Sequence, residues 1–481
     1  MLDVRPVVHV LGLLACGVSA MLCVPAAADL LYGNSDWRKF VVAALIVGLV
    51  GSCAAVATNR EGPVRLTLRQ AFLVTVTGWI TVAFVAALPF LGLGMSLTDA
   101  VFESMSGITT TGSTVLIGLD SLPPGILLWR ALLQWIGGIG IIAIAILMLP
   151  LLRVGGMQIF KIESSDRSEE KFLSTSRTVA WLFAIYVVLT AACVLLYYQF
   201  GMTLFDAVAH AMTTLSTGGY STHDASFGYF RDLRIHWVAT FFMIAGAIPF
   251  YLYVKAVRGS LHSIVTDQQV RGFIAFLFIS SVLMAYWLYD QRGIGFWQAL
   301  TLTSFNITSI VTTTGFASDD YTLWGPGAVG VFLILMFVGG CSGSSSGAIK
   351  VYRHQILYML VRAHVKRLFS PRRILTLRYN GRRLPDDVPY SILAFLAVFV
   401  ATIAVFTVCL ALMGLDIVTA YSASVTAITN VGPGLGSIIG PAGNFAPLPD
   451  AAKWLLTVAM LAGRLEVLAL LVAFDRDFWR F

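Results

Sequence analysis

The sequence predicts an all-α membrane protein with ten transmembrane helices: a two-helix N-terminal domain, then four tandem helix/re-entrant pore loop/helix repeats around a pseudo-fourfold pore. Three observations carry that expectation. Of 481 residues, 58% are hydrophobic and 12% charged, whereas a soluble domain covers its surface with about 25% charged residues; soluble enzymes, nucleic-acid binders and disordered scaffolds are excluded. Ten apolar stretches approach the roughly 20 residues that cross a ~30 Å hydrocarbon core. A Thr/Gly cluster recurs four times at domain-sized intervals, which gives a purpose to part of the 43 glycines in so apolar a chain.

The stretches are 7–24, 40–56, 71–93, 126–149, 178–198, 236–254, 273–289, 329–339, 392–413 and 454–473. The first lacks the charged leading region of a signal peptide and reads as a helix, although Pro25-Ala26-Ala27-Ala28 faintly resembles a cleavage site. With the N-terminus inside, 24 Lys and Arg fall on the cytoplasmic side and seven outside: Arg38, Lys39, Arg130, Arg231, Arg234, Arg292 and Lys453. Basic residues are retained inside, so both termini are expected in the cytoplasm. The remaining basic residue, Arg464, lies within the last stretch. The net charge of +7 therefore reflects cytoplasmic loops rather than an anionic partner. Six cysteines sit in apolar stretches without a C-x-x-C pair and read as core thiols.

The clusters are Thr109-Thr110-Thr111-Gly112, Ser216-Thr217-Gly218-Gly219, Thr312-Thr313-Thr314-Gly315 and Thr429-Asn430-Val431-Gly432. Aligned on Gly112, Gly218, Gly315 and Gly432 they are spaced by 106, 97 and 117 residues. This divides the chain into an N-terminal domain at 1–60 and repeats at 61–165, 166–265, 266–385 and 386–481, the third containing an intramembrane gating loop. Each repeat reads as a span, a helix too short to cross, an extended loop and a second span. Bare backbone in lipid costs several kcal/mol per unsatisfied group, so such loops must be shielded by protein or line an aqueous path. Four of them around one axis make a pore. Glycine lets successive carbonyls face one way, and Thr and Ser add hydroxyl oxygens. No ring of full charges accompanies the clusters, so carbonyl dipoles would replace the hydration shell of a dehydrated monovalent cation, the filter design that suits K⁺.

With these loops, with Gly339-Gly340-Cys341-Ser342-Gly343-Ser344-Ser345-Ser346-Gly347-Ala348-Ile349-Lys350 and with Gly463-Arg464-Leu465-Glu466, the chain resembles the TrkH family of the TrkH/KtrB/HKT potassium transporter superfamily. The resemblance covers the whole chain, including two N-terminal spans that KtrB lacks. It implies potassium uptake across the bacterial inner membrane by a homodimer with one pore per subunit, gated by a cytosolic TrkA-type ring that itself binds the nucleotide. It implies K⁺ ligation at Thr110, Thr111 and Gly112; Ser216, Thr217 and Gly218; Thr313, Thr314 and Gly315; and Asn430, Val431 and Gly432. In the superfamily a Ser at the first filter glycine goes with Na⁺ selectivity, so four glycines imply K⁺. The sequence departs from the family in that Ser344-Ser345-Ser346 is followed by a single glycine, where TrkH proteins carry a more glycine-rich segment.

The run from 329 to 365 would be one long helix were it not interrupted by Gly339, Gly340, Gly343 and Gly347 among Ser344, Ser345 and Ser346. Each glycine costs about 1 kcal/mol of helix stability against Ala, and hydroxyls compete for backbone partners. A break near mid-membrane is expected, placed to plug the pore beneath the filter. An arginine at a span centre costs about 2.5–3.5 kcal/mol on insertion scales, so Arg464 is expected beside the conduction path, limiting flux, with Glu466 on a different face. Lys350 reads either as a second barrier or, with more weight, as an interfacial lysine. Glu103, Asp206, Asp320 and Asp416 read as outer-mouth charges or helix caps, His210 and His223 lack metal-ligand spacing, and the basic segment 350–383 reads as a cytoplasmic dock for lipid headgroups or the regulator. The alternatives are an ion-coupled K⁺/H⁺ or K⁺/Na⁺ symporter using the same pore, against which stand same-sense repeats without acids in the loops, and an intramembrane enzyme, for which Ser344 or Ser345 could be nucleophiles but no matched His/Asp is visible.

Overall fold

A computed structural model describes residues 3–59, 66–147, 175–372, 376–467, 470–472 and 476–480. The expected cytoplasmic basic residues Arg60, Arg65, Arg153, Lys161, Arg167, Lys171 and Arg373, and the boundaries at 60 and 165, lie outside them. The helices are α1 Arg5–Leu31, α2 Trp37–Ala57, α3 Leu68–Ala86, α4 Leu88–Gly92, α5 Leu97–Ile108, α6 Pro124–Leu147, α7 Thr175–Gln199, α8 Leu204–Leu215, α9 Leu233–Ala247, α10 Phe250–Val257, α11 His262–Thr266, α12 Gln268–Arg292, α13 Phe296–Val311, α14 Pro326–Leu335, α15 Val351–Phe369, α16 Asp387–Leu412, α17 Ile417–Thr429, α18 Asp450–Arg464 and α19 Arg476–Arg480. A single small hairpin, β1 Arg378–Tyr379 with β2 Arg382–Arg383, follows α15.

Among the described residues seven helices are long and apolar enough to cross a membrane, and α9 with α10 would make an eighth. That pair bends by 92°, because Pro249 has no amide proton to continue the helix and crowds the preceding turn. The stretch expected from 329 to 339 is a ten-residue helix, α14, and the helix of the last stretch stops at Arg464. Both shortfalls lie beside the glycine-serine segment, which is non-helical from Gly339 to Lys350 before α15 resumes.

Small residues set how closely the N-terminal pair packs. A Cβ on Gly12 in α1 would lie 2.7 Å from Gly51 O in α2, so the two backbones touch, the close approach that small residues permit inside a membrane. α3 opens with a reciprocal cap in which Gln70 N donates to Thr67 Oγ1 (3.3 Å) and Thr67 N to Gln70 Oε1 (2.9 Å). Four helices, α5, α8, α13 and α17, run only 12, 12, 16 and 13 residues, roughly 18–24 Å at 1.5 Å per residue, and are almost wholly buried along their last turns. Ser96, Thr203 and Asp416 cap the starts of α5, α8 and α17.

Candidate functional site

Each short helix ends the same way. Thr110, Thr217, Thr313 and Asn430 take left-handed backbone, with φ of 52°, 51°, 59° and 55°, a conformation that raises the energy of a residue with a β-carbon by about 1–2 kcal/mol. The next amide then folds back across the helix end: Thr111 N to Ser106 O (2.9 Å), Gly218 N to Thr213 O (2.9 Å), Thr314 N to Ser309 O (2.8 Å) and Val431 N to Thr426 O (3.1 Å). This is the Schellman closure of a helix C-terminus, built on Thr and Asn instead of the usual glycine.

One residue further, Gly112, Gly219, Gly315 and Gly432 have φ of 88°, 83°, 84° and 109°. A Cβ on Gly112 would strike Gly218 O; on Gly219, Thr314 O; on Gly315, Val431 O; and on Gly432, Thr111 O. Each turn's glycine thus abuts the middle carbonyl of the next turn, and the fourth returns to the first, closing a ring. The second turn sits one residue later than the sequence alignment placed it. Gly219, not Gly218, matches the other three glycines; Gly218 takes the middle position and Thr217 the left-handed one. Ser216 precedes the turn and donates its hydroxyl to Thr213 O (3.2 Å). The adjacent glycines hid this, but a chain signal exists: Thr110, Thr217 and Asn430 lie equally far along the chain from the caps Ser96, Thr203 and Asp416.

Side chains hold the ring from outside. Gln134 of α6 donates to Gly218 O (2.6 Å) and accepts from Tyr220 N (3.0 Å). Ser113 Oγ donates to Gly432 O (2.9 Å), and Asn430 Nδ2 to Thr111 Oγ1 (2.9 Å). Glu103 is no outer-mouth charge. It is fully buried, takes Arg130 Nε at 2.8 Å and Val115 N at 2.9 Å, while Arg130 also donates to Ser221 O (2.9 Å) and lies 4.0 Å over the Tyr220 ring. Asp320 and Asp416 are helix caps. Above the ring a vestibule of about 70 Å³ is lined by all four glycines, Arg130, His223 and Asp224.

Beneath the ring lies the glycine-serine segment. Ser345 Oγ shares its one proton between Leu215 O (3.1 Å) and Gly246 O (3.0 Å), Ser346 Oγ donates to Thr312 O, and Ala348 N to Thr429 O (3.0 Å). Leu215, Thr312 and Thr429 lie at the ends of α8, α13 and α17, and Gly246 in the last turn of α9. Gly347 N donates to Thr313 Oγ1 (2.7 Å), and Thr217 Oγ1 to Ser345 Oγ (3.1 Å). The segment fills the bend between α9 and α10, where Cys341 N finds Ala247 O (2.9 Å) and Phe250 N finds Gly343 O (3.0 Å), and Ser342 N donates to the buried Gln269 Oε1 (2.5 Å).

Arg464 is the last residue of α18, not the middle of a continuous helix, and its Nη1 donates to Ser345 O (2.9 Å), with Nη2 3.5 Å from Gly137 O. Lys350 is not at the interface. It is buried, has φ 76° and donates to Ser346 O. Glu466 turns away through φ 60° and binds Arg353 Nη2 of α15 at 2.5 Å. Arg464, Lys350, Gly463 and Asn430 line a cavity of about 20 Å³, room for about one water. Gly339, Gly340, Gly343 and Ser344 belong to the same segment; Ser344 Oγ closes it on Cys341 O (2.6 Å).

His223 lines the vestibule with His210 buried behind it, ring centroids 6.3 Å apart, and among the described residues no group of three or more His, Cys, Asp or Glu side chains is placed to hold a metal ion. The arrangement can bind through backbone oxygens instead. Four helix C-termini end at the ring, and each carries a partial negative charge that favours a cation.

The TrkH family profile, described as cation transport protein, matches residues 38–479. The potassium uptake protein TrkI of the Trk system from Halomonas elongata is 44% identical over 479 residues, covering 99% of this chain and 97% of that protein. The corresponding TrkH of Escherichia coli is 35% identical over 487 residues, covering 99% of each. The crystal structure of the potassium transporter TrkH from Vibrio parahaemolyticus superposes with a TM-score of 0.92 at 34% identity over the whole of both chains. The chain belongs to the TrkH family, whose members are membrane transport proteins and not enzymes.

Proposed function

We propose that this chain takes potassium ions into the bacterial cell through a channel-like pore whose filter is the ring of four Thr/Gly turns. The observation that carries the reading is the closed circuit in which each glycine abuts the next turn's middle carbonyl, since such a ring offers equivalent backbone oxygens to one ion on its axis and needs no acidic side chain. The names of the relatives point to potassium. The ligands would be Thr110, Thr111 and Gly112; Thr217, Gly218 and Gly219; Thr313, Thr314 and Gly315; and Asn430, Val431 and Gly432. Thr110 Oγ1 and Asn430 Oδ1, buried without a protein partner, suit the inner mouth of that filter. Four tandem repeats about a pseudo-fourfold axis and ten crossings, three of them broken, complete the architecture, with both termini in the cytoplasm by the distribution of basic residues.

The segment from Gly339 to Lys350 is the gate, closed here by its bonds to three helix ends and held by Arg464. A cytosolic TrkA-type ring that binds nucleotide would withdraw it, docking on the basic surface around α15 and the β1–β2 hairpin, and the transporter would work as a homodimer. The test is ⁸⁶Rb⁺ uptake into proteoliposomes with K⁺ or Na⁺ as competitor, with and without the regulator. K⁺ competing far better than Na⁺ is expected; equal competition sinks the selectivity claim, and flux that ignores the regulator sinks the gating claim.

A further inference from the structure

His223 occupies a position that neither the filter nor the gate uses. It lies in the loop after the second turn, lines the vestibule, and stacks on Tyr229 with ring centroids 3.5 Å apart. Both imidazole nitrogens face carboxylates from other elements: Nδ1 is 2.5 Å from Asp120 Oδ1 in the 3-10 turn Leu119–Ser121, and Nε2 is 3.5 Å from Asp206 Oδ1 at the start of α8. A neutral imidazole carries one proton and can serve only one of them; the imidazolium hydrogen-bonds Asp120 and presents its second proton to Asp206 as an ion pair, at an Nε2 otherwise buried without a hydrogen-bond partner. Asp206 has further donors in Thr203 Oγ1 and Thr222 Oγ1, both at 2.7 Å, so it stays in place as an anion. The neighbouring Asp224 accepts Leu119 N at 3.1 Å, so His223 and Asp224 together tie the first outer loop to the second. The other titratable and charged groups facing this spot are His210, whose ring lies 6.3 Å away and whose nitrogens are taken by Asp206 O and Ser221 Oγ, and Arg130, which is committed to Glu103. Half of the Asp120 side chain is open to solvent, which gives the proton a way out.

We infer that His223 is an external pH sensor for ion entry: as the imidazolium it neutralises part of the Asp120 and Asp206 charge and staples the outer loops, and its deprotonation leaves the vestibule more negative. The inference rests on the reading of the ring as a K⁺ filter. Burial by itself would lower the pKa of the imidazole, but the bonds to Asp206 and Asp120 and their charges outweigh it, and the net shift is upward. The transition therefore falls above the ordinary histidine value of about 6.5. A more negative vestibule concentrates cations, so the KM for K⁺ falls as external pH rises, by about twofold for one charge in a solvated mouth.

The experiment measures K⁺-competed ⁸⁶Rb⁺ uptake by the full-length protein in proteoliposomes of clamped internal pH, at external pH from about 5.5 to about 9. The wild type should show a KM that falls with pH. His223→Gln should hold the low KM at every pH, His223→Arg the high one, and Asp120→Asn should move the midpoint to lower pH, a displacement that a merely structural histidine would not produce. A KM that follows pH equally in wild type, His223→Gln and His223→Arg, or that rises with pH, overturns the inference while leaving the filter intact. Absence of K⁺-competed uptake at every pH overturns the transport reading and this inference with it.

Discussion

Gly137 of α6, Gly246 of α9 and Gly463 of α18 each lie so close to a carbonyl of a short helix, Ile108, Leu215 and Ile428 respectively, that a Cβ would strike it. In these three units a glycine lets the following helix pass directly beneath the filter turn. The third unit differs. Its following helix ends at Leu335, and Gly340 packs instead on Ser346 of its own loop and on Ala247. Above the ring the four units use one backbone geometry; below it, one unit gives up its helix and sends a hydroxyl-rich loop across the ends of the other turns. Among the described residues the loop makes no hydrogen bond to the first turn, and there Thr110 Oγ1 lacks a protein partner. On the function proposed above, a symmetric filter and an asymmetric gate share one fold because a single unit forfeits the glycine-on-carbonyl contact, with the repeated half rigid and the odd one mobile.

The sharpest way to break the rigid half is through its buried ion pair. Glu103→Ala leaves Arg130 buried without its carboxylate, a change that destabilises by about 3–5 kcal/mol. The thermal unfolding midpoint of the detergent-solubilised protein should drop markedly, and an unchanged midpoint would mean that the brace is dispensable. Next in size is the register of the second turn. Gly219→Ala combines left-handed backbone with a Cβ against Thr314 O, which cannot retreat without moving the third turn, and strain of this kind runs to about 1–3 kcal/mol. Rb⁺ uptake should fall about tenfold or more. Gly218→Ala needs no left-handed backbone and meets the Gln134 side chain rather than a carbonyl of the next turn, so it should cost clearly less uptake than Gly219→Ala. Equal losses for both glycines would return the register to the one read from sequence.

How far these features could be read in the chain depends on whether local chemistry or distant packing sets them. Composition and the Thr/Gly clusters announce the membrane class and the four turns because backbone in lipid has few solutions. The break after α14 was legible because glycine and serine oppose a helix wherever they stand. The one-residue displacement at Gly219 was not, since Gly218 and Gly219 are chemically identical and only the neighbour's carbonyl distinguishes them. Glu103 looked like a mouth charge because its partner Arg130 is on another helix and was counted among the outside basic residues. Arg464 announced an unusual setting by its cost alone, but what it binds, the Ser345 carbonyl, is decided by a loop more than a hundred residues away.

The mobile half yields smaller effects with a definite order. Arg464 donates a charged hydrogen bond to Ser345 O, and such bonds contribute about 1.5–3 kcal/mol. Arg464→Ala should therefore release the loop and raise Rb⁺ flux without the regulator about tenfold, whereas unchanged flux would make the arginine a purely structural tie. Ser345→Ala removes one neutral hydroxyl bond shared between Leu215 O and Gly246 O, contributing about 0.5–1.5 kcal/mol, and should raise regulator-free flux only a few-fold. The backbone carbonyl that Arg464 grips survives that substitution, so the two changes act on the same loop through different atoms. If the loop moves as one body, the double variant should exceed either single one; a double variant no faster than Arg464→Ala would place the whole restraint in the arginine and leave the serine as packing.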